Sequence, residues 1–276
     1  MLNIGSTSYT VHVTCSVPQG SVLGPRLFIM YTADVEEKAY EHGVNYHAFA
    51  DDTQLNERCR CDDTSTAVGK LEHCVIDINH WMSAHRLKQN TEKTELLWSG
   101  SKYSLSKLDG CGPAIKLGSD IIEPSGHVRV LEVIMSSDLS LEKHVSAVSA
   151  TCFFHLRQTR RVRQSLDVGS AKTLAFVTSR VDYCNAVLAE SLRVITDKLQ
   201  KVMDSAARVV TETRKYDSGL SRLMHDELHW LDVTDQVRFK LAVLMYRCLH
   251  GTAPPYLMDS CTLTAEVTGH QVRRSI

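Results

Sequence analysis

Tyr46-His47-Ala48-Phe49-Ala50-Asp51-Asp52-Thr53-Gln54-Leu55 is the stretch on which the reading of this chain turns. An apolar, strand-like run enters two adjacent carboxylates and a second such run leaves them. The sequence therefore predicts a tight hairpin with Asp51 and Asp52 at its tip. Paired carboxylates are what Mg²⁺ seeks, because it is a hard cation that takes oxygen ligands and shares its octahedron with phosphates. An ordinary solvated turn also favours aspartate, so the pair by itself leaves both readings open.

The flanking sequence narrows the choice. Val17-Pro18-Gln19-Gly20-Ser21-Val22-Leu23-Gly24-Pro25 precedes the hairpin and Asn90-Thr91-Glu92-Lys93-Thr94-Glu95 follows it. In this order the three segments resemble the reverse transcriptase of non-long-terminal-repeat (LINE-type) retrotransposons. The likeness continues through Val128-Arg129-Val130-Leu131, Ser137-Asp138-Leu139-Ser140, Thr178 to Asn185, Glu227-Leu228-His229-Trp230-Leu231 and His250 to Leu257. The resemblance implies an RNA-directed DNA polymerase in which Asp51 and Asp52 are catalytic Mg²⁺ ligands and an RNA/DNA primer–template is the partner. It also puts Gln19 and Gly20 at the floor of the nucleotide site and Lys93 near the triphosphate. Without it, Pro18-Gln19-Gly20 reads equally well as a strand-to-helix turn and Lys93 as a solvated lysine in a polar loop.

Bulk composition adds little to this. The 276 residues are 43% hydrophobic and 23% charged with a formal net charge of −1, so any phosphate contact must come from local patches. Nine cysteines without a Cys-x-x-Cys pair argue against a cysteine-held zinc and for scattered reduced thiols. No segment is long and apolar enough to span a bilayer and the N-terminus lacks a signal-peptide pattern. The expected location is intracellular, with nucleus and cytoplasm not distinguished.

Periodicity divides the chain near residue 140. Before it the expectation is α+β: a strand over 8–15 and a helix opened by Gly24-Pro25 with Phe28, Tyr31 and Val35 on one face. The hairpin and a helix over 64–85 with Leu71, Cys74 and Ile78 on its stripe follow. Strands are expected over 92–98, 114–118, 120–123 and 128–134, with Gly118-Ser119 a turn. Beyond 140, apolar residues step by three and four through Val145, Val148 and Cys152, then from Leu174 to Leu188, Leu192 to Val209 and Val233 to Cys248. Such spacing predicts amphipathic helices. By resemblance, 1–140 is part of a polymerase palm, an antiparallel sheet with two helices, and 141–276 an all-helical thumb with a C-terminal extension.

Nucleotide addition with two metal ions about 3.5–4 Å apart needs carboxylates from more than one strand. In the resembled polymerases the hairpin pair works with an Asp from a motif that precedes the Pro-Gln-Gly turn. Sixteen residues precede Val17 here and none is Asp or Glu. The expectation is a truncated reverse transcriptase domain that does not polymerise alone. Two alternatives stand beside it: a nucleic-acid-binding module, or an unstable product without a biochemical role. The binding module rests on His155-Leu156-Arg157-Gln158-Thr159-Arg160-Arg161-Val162-Arg163, which on a helix spreads Arg157, Arg160 and Arg161 over one face suited to duplex phosphates. The same arginines would also favour a helix C-terminal dipole. Ser16, Arg26, Gln89 and Glu132 depart from the resembled pattern, Glu132 standing where Gly is usual within the expected strand.

Overall fold

Ser21 accepts the Gly24 N–H on its hydroxyl and its carbonyl, at 2.9 and 3.3 Å, and so starts helix α1, Gly24–Tyr31, with Pro25 in the first turn. The structure, a computed structural model, describes residues 20–108, 112–163, 175–214 and 216–261. The strand expected over 8–15 lies outside them. Two compact units divide the chain, Met1–Leu131 and Glu132–Ile276.

In the first unit the expected single helix through Val35 is two. Thr32 turns its hydroxyl back onto the Phe28 carbonyl at 3.0 Å, and a fresh helix α2 runs Val35–Glu41. Val35 and Ala39 are buried, whereas α1 buries nothing. Gly43, at φ +62°, ends α2: Val44 N–H donates back to the Ala39 carbonyl at 3.0 Å and its side chain joins the core. The chain then enters β1, Asn45–Phe49, which pairs antiparallel with β2, Asp52–Asn56. Helix α3, Thr64–Ala84, matches the predicted helix and buries Ala67, Cys74 and Ile78. Val35, Ala39, Val44, Cys74 and Ile78 form the core, with Tyr46, Leu55, Leu71, Trp81 and Met82 packed around it.

Sheet structure is sparser than expected. β3, Ile115–Leu117, and β4, Asp120–Ile122, form a second antiparallel ribbon with Gly118 at φ +63° in the turn. Residues 92–98 are not a strand: Thr91–Lys93 coil into a 3₁₀ turn, and beyond it Leu96 makes one parallel bridge, to Pro124. Proline has no N–H with which to extend that ladder. A short helix α4, Lys102–Ser106, is capped by Ser101, whose hydroxyl accepts the Ser104 N–H.

The strand expected over 128–134 is interrupted. β5, His127–Val130, and β6, Val133–Ser136, are separated by Leu131 and Glu132 at φ +45° and +67°. The left-handed conformation at position 132 suits glycine and costs other residues roughly 1–2 kcal/mol. Glu132, expected within the strand, is instead a turn residue between β5 and β6.

The second unit begins with β6, which packs on α5, Glu142–Val162. It continues through α6, Ala175–Asp182, a 3₁₀ turn at Asn185–Leu188, α7, Arg193–Thr211, and α8, Val233–Leu249. The apolar stripe expected from 174 to 188 is not one helix, because Cys184 takes φ +51° and breaks it. α7 carries the densest buried face: Ile195, Leu199, Val202, Met203, Ala206, Ala207, Val209 and Val210. Against it lie Val145, Cys152 and Leu156 of α5, Val177 and Val181 of α6, and Val233 and Val237 of α8. The rest of the expected α8 stripe is only partly buried: Leu241 packs on the core and Cys248 is half-buried, while Leu244 is 37% exposed. No helix among the described residues is long and apolar enough to cross a membrane. Replacing Glu132 by Gly should raise stability by about 1 kcal/mol, read as a higher denaturant midpoint at unchanged slope.

Candidate functional site

Phe49 pairs with Asp52, so Ala50 and Asp51 are the whole of the turn. Ala50 takes φ +55°, an uncommon conformation for a residue with a side chain, and the reversal is as tight as a hairpin allows. Tyr46 and Leu55 face each other across the ribbon and pack on the core of the first unit. Alternation then puts Ala48 and Thr53 on that same face and His47, Phe49, Asp52 and Gln54 on the other. Burial pushes the Tyr46 hydroxyl above its ordinary pKa, against the pull of its hydrogen bond with Thr53. Asp51 and Asp52 are both exposed, and Phe49 beside them is 64% exposed.

Lys70 of α3 fixes the base of the ribbon. Its ammonium donates to the Gly43 carbonyl at 3.0 Å, just before β1, and to Glu57 Oε1 at 2.7 Å, just after β2. One cation thereby ties both strand ends to one helix. Glu57 is largely shielded from water, which makes the pair stronger than a surface salt bridge. His42 Nε2 lies 2.7 Å from Asp77 Oδ2 and holds the end of α2 on α3. At the far end of α3 the Tyr31 hydroxyl donates to the His85 carbonyl at 2.8 Å, and Trp81 stacks on the His85 ring at 3.8 Å.

Two carboxylates at one turn fit a hard divalent cation in donor type. Consecutive residues supply only part of an octahedron, and the remaining ligands must come from water, phosphates or another segment. Among the described residues no three His, Cys, Asp or Glu side chains converge as a metal site. Gln19 lies outside the described residues. Gly20 takes φ +87° with nothing within 4 Å of where a Cβ would stand, so conformation rather than crowding requires glycine there. Lys93 is exposed in the 3₁₀ turn, and among the described residues it makes no ion pair with Asp51 or Asp52.

In the second unit Arg157, Arg160 and Arg161 are exposed on the last turns of α5, within an arc of about 100°. None makes an ion pair among the described residues. Arg163, the last of the basic run, behaves differently. It is buried and donates from Nε to the Val209 carbonyl and from Nη2 to the Val210 carbonyl, both at 3.0 Å, with Glu212 Oε1 at 3.2 Å. These are last-turn carbonyls of α7, which have no partner within their own helix. Sequence alone did not separate Arg163 from its neighbours, since all sit in one basic run. Lys70 was missed likewise; its only signal was a cation within an amphipathic helix.

The three tryptophans, Trp81, Trp98 and Trp230, are partly buried. Trp81 and Trp230 pack on the two cores, and Trp98 donates its indole N–H to the Pro113 carbonyl at 2.9 Å. Burial pushes the Cys74 and Cys152 thiols up and keeps them protonated. All seven cysteines within the described residues are free thiols.

Residues 2–137 match the family model of reverse transcriptases (RNA-dependent DNA polymerases). Over 231 residues, 80% of the chain, the sequence is 25% identical to a Drosophila melanogaster protein described as a probable RNA-directed DNA polymerase from transposon BS. The match spans 25% of that relative's own length. No solved structure matches the chain.

Replacing Lys70 by Ala should free both ends of the ribbon. Amide hydrogen exchange over residues 45–56 should speed up at least tenfold, with exchange in α7 unchanged.

Proposed function

Because residues 2–137 are a reverse transcriptase domain of the non-LTR retrotransposon type, we propose that Asp51 and Asp52 are its metal-binding carboxylates. In this reading the first unit is the C-terminal part of a palm and the second a thumb. The observation that carries it is the hairpin: two exposed carboxylates at a two-residue reversal, on a ribbon anchored from below by Lys70. Mg²⁺ bound there would supply charge neutralisation for phosphoryl transfer. Asp51 and Asp52 give it oxygen donors, Lys93 adds positive charge toward a triphosphate, and Gln19 and Gly20 line the nucleotide's floor.

Positioning is most of what a phosphoryl-transfer enzyme provides. Two carboxylates from one turn position a metal pair poorly, so the 276-residue chain by itself is not a competent polymerase. With a primed RNA or DNA template and Mg²⁺ or Mn²⁺, the purified chain should incorporate no labelled nucleotide. Incorporation that disappears in Asp51→Ala would show that the chain completes its own metal site and overturn this view.

A second reading rests on a separate observation, the exposed guanidinium face of α5. It suits the phosphates of a primer–template duplex, which it would contact without reading sequence. Binding of a short RNA/DNA duplex should weaken as salt rises. Replacing Arg157, Arg160 and Arg161 together by Ala should cost at least tenfold in affinity at low salt while leaving stability within about 0.5 kcal/mol. Arg163→Met should do the opposite: lower stability by about 1–3 kcal/mol by orphaning the α7 carbonyls, with little direct effect on binding. Affinity untouched by the triple change would remove this reading.

A further inference from the structure

A methionine and two cysteines lie near one another at the C-terminal end of α8. Met245 and Cys248 are three residues apart and so share one face of that helix. A short helical turn, Pro255–Met258, brings the chain back, and the Cys261 N–H donates to the Met258 carbonyl at 2.9 Å. That closure sets Cys261 against the face. Its thiol donates to Met245 Sδ at 3.8 Å, and the Cys248 thiol, pushed up by burial, is pushed up further by Cys261 beside it. Both cysteines are part-buried, whereas Met245 is 46% exposed, so the cluster is held by the fold yet reachable from solvent.

We propose that Met245, Cys248 and Cys261 form a binding site for a soft monovalent metal ion of the Cu(I) class. Thiolate and thioether ligands select soft ions over Mg²⁺ or Ca²⁺, which take oxygen. The spacing suits a shared ion. With metal–sulfur bonds of about 2.3 Å, two sulfurs 3.8 Å apart subtend about 110° at the metal. Low-coordinate sulfur sites adopt angles of that order, so these ligands need little rearrangement. Binding replaces the two thiol protons: both leave to solvent, two thiolates and the thioether bind the ion, and no redox step is involved. The site lies apart from the Asp51–Asp52 hairpin and does not depend on the polymerase reading.

The test is a competition titration under nitrogen, in which the reduced full chain takes Cu(I) from its coloured bicinchoninate complex. The other seven cysteines stay in place in every variant, so differences between variants report this cluster. The intact chain should hold one equivalent more tightly than any other. Cys248→Ser and Cys261→Ser should each weaken that equivalent at least a hundredfold, and Met245→Leu, which preserves volume, about tenfold. Circular dichroism melts should confirm that all three variants fold. A tightest equivalent that persists undiminished in both serine variants would overturn the site, and one unaffected by Met245→Leu would overturn the three-sulfur assignment.

Discussion

Tyr46 and Leu55 stand opposite each other across β1 and β2 and rest on the core built by Val35, Ala39, Cys74 and Ile78. A strand has a side-chain period of two, so this single pair fixes the face of every other residue in the ribbon. Asp52 is thereby turned outward beside Phe49, and the reversal is confined to Ala50 and Asp51. A slip of one residue would send the Asp52 carboxylate toward the core, where its charge would be costly. The acidic tip is held in place by apolar contacts some residues away from it.

That arrangement still needs a fixed base, because an isolated two-stranded ribbon is marginal in water. Lys70 supplies it by reaching both ends of the ribbon from α3. The second unit uses related chemistry for another purpose. There the Arg163 side chain meets carbonyls that end α7, so the basic end of α5 is tied to the helix with the largest buried face. The neighbouring Arg157, Arg160 and Arg161 are left pointing into water. A run of like residues has been split between structure and surface.

Strong periodic signals were legible. Helix α3 appears where Leu71, Cys74 and Ile78 put it, the Gly118 turn separates β3 from β4, and the Asp-Asp pair sits at a hairpin tip. Misreadings cluster where backbone geometry overrode the apolar pattern. Thr32 cut one expected helix into two by bonding back to Phe28, and Leu131–Glu132 interrupted an expected strand with two left-handed residues. Cys184 did the same to a helical stripe. None of these residues is Gly or Pro, so none carried the punctuation from which breaks are read in a sequence.

The sequence by itself determined the family of the first half of the chain, the hairpin that presents Asp51 and Asp52, and the helical character of the second half. Those properties reside in local order: which residues follow which, and with what period. Only the tertiary structure decided that Lys70 ties down the ribbon, that Arg163 serves a neighbouring helix, and that Cys261 returns to Met245 and Cys248. Each of these joins residues brought together by chain reversals, and a hydrogen-bond partner on another element leaves no mark on the local pattern of either one.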